Sequence, residues 1–159
     1  LESGQIQAAV VTSPNNLLVR QAGFHQIVDL IPLKLHTVTQ GIFVRDDWAK
    51  QNQPTILNFL KAYLESVKVD KTDAAAAQAS VSKWTGIQDQ ALVAESYRAT
   101  LGGLASFPLA EDQDFQNVLD LTDDPALKSR KPADFYDNSY LQSLESFART
   151  LYPDGIPAT

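Results

Sequence analysis

The turn Thr12-Ser13-Pro14-Asn15-Asn16 gathers two hydroxyls, two side-chain amides and a proline within five residues. Serine followed by proline suits the cap and first position of a helix. A helix beginning there leaves its first backbone amides unpaired and carries a partial positive charge, so it can receive an anion or a ligand carbonyl. Thr12, Ser13, Pro14 and Asn15 are therefore candidate ligand-binding residues. The plainer alternative is an ordinary capped helix, in which Ser13 only satisfies the amide of Asn15 or Asn16. The second candidate group is Thr39, Gln40 and Gly41, polar residues and a glycine inside an apolar run. Polar groups on a buried strand cost free energy unless they find partners. Glycine there permits a bulge or the close approach of another group. The alternative for this group is an exposed edge strand with its polar face in water.

Other reactive chemistry finds less support. The chain has no cysteine, which removes disulfides, thiolate catalysis and cysteine-ligated zinc. Its two histidines, His25 and His36, stand eleven positions apart without acidic neighbours at metal-ligand spacing, so no metal site is expected. No motif supports a Ser-His-Asp triad or a working carboxylate pair, so no catalytic residue, no cofactor and no enzyme activity are expected. The pair Asp46-Asp47 is explained by helix capping and dipole complementarity. Glu111-Asp112 and Asp123-Asp124 read as solvated helix starts or ends. Arg20 and Arg45 could grip an anionic ligand, although Arg20 lies inside its helix and is better placed on the surface. Trp48, Phe59, Tyr63, Trp84 and Tyr97 are assigned to packing rather than to a ligand cage.

The elements that would position these groups follow from hydrophobic patterning. Residues 6–11, 27–31 and 37–44 are apolar and rich in β-branched types, and read as three strands. Gly4 is placed at the end of a preceding helix. The helix begun at Ser13-Pro14 should stop at Gly23, a residue suited to the left-handed position after a helix. From Pro54 the pattern turns helical. Ile56, Phe59, Leu60, Tyr63, Leu64 and Val67 share one face. Further helices are expected at about 74–85, 89–100, 112–121 and 138–151, with Asp73 as a cap and Gly86 as a stop. Residues 101–108, holding Gly102 and Gly103, read as a loop, and Asp123-Asp124-Pro125 as a break.

Composition sets the outer bounds. The 159 residues are 44% hydrophobic and 20% charged, an ordinary globular balance. The net charge of −6 provides no electrostatic footprint for a phosphate backbone, so nucleic acid is not an expected partner. No apolar run approaches the ~20 residues that span a bilayer. Methionine is absent, so Leu1 is read as a processed or cut end, and three short strands are too few to cover the helices expected after them. The expectation is a fragment whose N-terminal half is missing. Alone, it would expose apolar surface or form an intertwined oligomer.

The run from Leu1 through Ser3-Gly4-Gln5-Ile6-Gln7-Ala8 to Pro14, followed by Gln21-Ala22-Gly23-Phe24, resembles the nitrate/sulfonate/taurine substrate-binding proteins of ABC importers. That family carries a small-Gly-x-hydrophobic-Asp-Ala strand, then a proline-led helix ending in glycine and a hydrophobic residue. The segment from Gly41 to Arg45, the Ala62-Tyr63 pair, Lys83-Trp84-Thr85-Gly86, and the run from Lys131-Pro132 to Tyr136-Asp137 resemble its later elements. Gln7 stands where the family commonly has Asp, and Thr12 and Ser13 stand where many members have an aromatic and an acidic residue.

The resemblance implies an α/β fold, specifically the C-terminal part of a two-lobe periplasmic-binding-protein fold, helix-rich after residue 45. Residues 1–38 would end the second lobe, 39–45 would form a crossing hinge strand, and 46–159 would return to the first lobe. It implies a non-enzymatic solute-binding protein that captures a small polar or anionic solute in an interlobe cleft and delivers it to an ABC permease. The location implied is extracytoplasmic, either periplasmic or lipid-anchored. Two alternatives stay open on the same scaffold: an enzyme resembling thiamine-pyrimidine synthases, and a sensory ligand-binding domain.

Overall fold

The computed structural model describes residues 1–33, 38 and 40–157. Among them the regular structure is helical throughout. The helices are α1 (Asn15–Gln21), α2 (Asp46–Gln51), α3 (Gln53–Thr72), α4 (Ala74–Thr85), α5 (Gln90–Leu101), α6 (Asp112–Leu121), α7 (Pro125–Lys128), α8 (Ser139–Gln142) and α9 (Glu145–Leu151). Single turns of 3₁₀ helix lie at Ile31–Leu33 and Pro132–Asp134.

This overturns the α/β expectation, because no strand and no sheet forms among the described residues. The chain is therefore not the C-terminal part of a two-lobe α/β periplasmic-binding fold. Residues 6–11 and 24–29 run without regular structure, and so do the described residues between 38 and 45. A strand is defined by the backbone it pairs with, and none of these segments forms a ladder with another. Their side chains are also not buried: Val10 and Ile27 are each 86% exposed, and Phe43 85%. Residues 37 and 39, within the third expected strand, lie outside the described residues, as does His36.

The helix signals fare differently. Asp73 Oδ1 accepts a hydrogen bond from the Ala76 amide and starts α4. Gly86, at φ 76°, ends it in the left-handed conformation that spares glycine a steric penalty. Asp89 caps α5 by accepting from the amides of Ala91 and Leu92. Asp124 does the same for α7 through Ala126, with Pro125 at the first helical position. Asp46 and Asp47 fill the first turn of α2. In α3 the buried stripe is Ile56, Leu64 and Val67, and Phe59, expected on that face, is 55% exposed. The helix expected over 138–151 is interrupted between α8 and α9. There the Ser143 hydroxyl donates to the Tyr140 carbonyl at 2.6 Å.

The chain divides into two compact units. The first comprises residues 1–29 and 69–104. Within it α4 lies against α5, and Leu17, Ala77, Leu92 and Val93 are buried. The second comprises residues 30–68 and 105–159. Its core is Leu64, Leu141, Leu144 and Ala148, packed round by Leu57, Leu60, Phe107, Phe147, Leu151 and Ile156. In the same unit Phe115 of α6 stacks on Phe135 and Tyr136, with centroids 6.2 and 5.1 Å away. Both units thus combine segments distant in sequence, whereas the sequence reading drew its boundaries at residues 38 and 45.

Candidate functional site

The turn before α1 is held by side chains rather than left open. Ser13 Oγ shares a 3.3 Å hydrogen bond with Ser96 Oγ of α5, and Ser96 is buried. Further along α1, Arg20 Nη2 donates to Glu95 Oε1 at 2.7 Å. These two contacts fix α1 to α5. Ser13 therefore faces a neighbouring helix and does not cap its own. Pro14 occupies the cap position, and no side chain bonds to the helix start. The second and third amides of α1 are already engaged: Asn16 N donates to the Thr12 carbonyl at 3.1 Å, and Leu17 N to the Pro14 carbonyl at 3.0 Å. What the turn presents outward is the exposed side chains of Thr12 and Asn15, with Ser13 and Pro14 half-buried beneath them.

Gln40 and Gly41 are exposed and belong to the second unit, whereas residues 12–15 belong to the first. Thr39 lies outside the described residues. A Cβ placed on Gly41 would meet the Phe43 ring at 3.3 Å, so the glycine admits the ring of a residue two positions on. Arg45 pairs with Asp47 through Nε and Nη2, one on each carboxylate oxygen. That bond lowers the Asp47 pKa and raises that of Arg45. With Arg20 on Glu95, both arginines proposed for an anion have acidic partners within the chain.

The feature that sequence reasoning missed is a groove of about 190 Å³ in the first unit. Asp70, in the last turn of α3, lies at its wall, with Val81 and Trp84 of α4, Tyr97 and Leu101 of α5, and Leu104 beyond. Tyr97 Oη donates to the Asp70 carbonyl at 2.8 Å and ties α5 to the end of α3. Burial raises the Asp70 carboxyl pKa above its ordinary value, and no described cation pairs with it. Trp84, assigned from sequence to packing, is 78% exposed; Trp48, at 42%, and Phe59 are likewise not buried. A signal was available: Asp70, Tyr97 and Trp84 each sit in the C-terminal half of their helix, near a glycine or a cap.

No group of three or more His, Asp or Glu side chains that could hold a metal occurs among the described residues. None of their helices is long and apolar enough to cross a membrane. No family model matches the chain, and neither a curated protein nor a solved structure matches it.

Proposed function

We propose that this chain works by capturing a small solute without transforming it, as a solute-binding component that serves an ABC permease outside the cytoplasm. The observation that carries this reading is the ordered run of motifs from Leu1 to Asp137 that resembles the nitrate/sulfonate/taurine binders. The helical architecture removes the interlobe cleft from the reading. The solute contacts left to it are the outward side chains of the turn, Thr12 and Asn15. Hydroxyl and amide groups of this kind donate hydrogen bonds to the oxygens of a nitrate or sulfonate without adding charge.

Isothermal titration with taurine, a short alkanesulfonate and nitrate tests the reading. Saturable heat with at least one of them, reduced tenfold or more by Thr12→Ala combined with Asn15→Ala, is the expected result. Both positions are exposed, so the double substitution leaves the fold intact. No heat with any of the three, or heat unchanged in the double variant, would remove the reading.

A further inference from the structure

The geometry points to a second binding site, for a small organic ammonium ion with an apolar body, in the groove walled by Asp70, α4 and α5. Three observations converge on that chemistry. First, the charged group among the groove's lining residues is a carboxylate, partly withdrawn from water and lacking a cationic partner among the described residues. A desolvated carboxylate gains most from a ligand that brings both positive charge and N–H donors. Second, Asp70 sits in the last turn of α3, and Tyr97 and Leu101 lie near the end of α5. The C-terminal ends of helices carry partial negative charge and favour a cation. Third, the wall carries Val81, Trp84, Leu101 and Leu104, apolar side chains with an exposed indole among them, beside the hydroxyls of Ser80 and Thr100.

The groove also limits the ligand. Its 190 Å³ is below the ~300–1,000 Å³ of pockets for drug-sized molecules, so it suits a single ring or a short branched chain. Lys83 Nζ already lies 5.0 Å from the Trp84 ring centroid. The ligand nitrogen is therefore assigned to Asp70 and its apolar body to the wall, not to a cation–π seat on the indole. An anionic solute has no lining cation to meet here, so this site stands independently of the sulfonate reading.

The test uses the full chain with Trp48→Phe, which leaves Trp84 as the single indole reporter. Phenethylammonium, phenethyl alcohol and phenylacetate are titrated while Trp84 emission is followed. The expected result is saturation by the ammonium at least tenfold more tightly than by the alcohol, with no saturation by the carboxylate. Asp70→Asn should reduce ammonium affinity to that of the alcohol, with an unchanged far-ultraviolet circular dichroism spectrum. Ser80→Lys, at an exposed position on the groove wall, should also abolish ammonium binding by setting a resident cation near Asp70; it decides the matter if the Asp70 variant fails to fold. Equal affinity for ammonium and alcohol would overturn the proposal, as would no saturation, or ammonium binding unaffected in folded Asp70→Asn or in Ser80→Lys.

Discussion

Two aspartates show how position sets the chemistry of one side-chain type. Asp70 is partly buried at the end of α3, and the cost of desolvating its charge raises its pKa. Asp134 lies on the surface, where the hydrogen bond from Arg130 Nε, at 2.8 Å, is the largest of the causes that lower its pKa. The signs for stability are opposite. Folded Asp70 holds its proton more tightly than the unfolded chain does. Its contribution is therefore full below the ordinary carboxylate range and is lost as pH rises through its raised value. Asp134 contributes above the ordinary range, and that contribution is lost as pH falls through its lowered value. Carboxyl-carbon NMR titration should place the Asp70 midpoint above the Asp134 midpoint. Arg130→Ala should bring Asp134 back toward an ordinary aspartate and leave Asp70 unmoved, and coincident midpoints in the native protein would refute the assignment. Little of this difference could be read from sequence: Asp70 stands between Val69 and Lys71 and Asp134 between Ala133 and Phe135, neighbours that do not set the burial of either carboxyl. The turn at Thr12 was visible in sequence for its residue types. The direction Ser13 takes was not, because Ser96 is 83 positions away.

At the scale of elements, caps and stops were legible because they are local. Asp73 and Gly86 bracket α4 as their types require, and α6 spans Asp112–Leu121 as its apolar spacing indicates. Asp89 Oδ1 accepts from two amides, Ala91 at 2.8 Å and Leu92 at 3.3 Å. Asp89→Ala should therefore cost about 1 kcal/mol of unfolding free energy in urea. Asp89→Ser should recover most of it, and a loss under a few tenths of a kcal/mol would show that the cap is not used. The strands were misread for the converse reason. β-branched residues favour a pleated, half-buried surface only where another strand supplies it. Segments 6–11 and 27–31 carry that composition, but no partner strand forms among the described residues to receive them. The break between α8 and α9 was hidden as well. Tyr140, Leu141, Leu144 and Phe147 keep a helical period across it, so the apolar pattern gives no sign of the interruption.

Considered over the whole chain, the distribution of apolar surface is unusual for its composition. Large apolar side chains are well buried in the core around Leu64, itself fully buried, yet Val10, Ile27, Val28, Ile42, Phe43 and Leu121 each remain half or more exposed. Scattered exposed hydrophobes are normal, but runs of them within irregular segments are not. Such segments have few buried contacts and, for residues 6–11, no backbone donors to other described residues. Their amides should open at little cost compared with those of α3 and α5. Hydrogen exchange of the native protein is thus expected to be fast across residues 6–11 and slow in the centre of α3, around Leu64. In the same conditions a dye that fluoresces on apolar surfaces should bind the folded chain. Replacing Val10, Ile27 and Phe43 together with lysine should reduce the dye signal several-fold and leave the helical circular dichroism unchanged. If instead residues 6–11 exchange as slowly as α3, those residues are paired in solution. The helical architecture would then require a strand partner that the described residues do not supply.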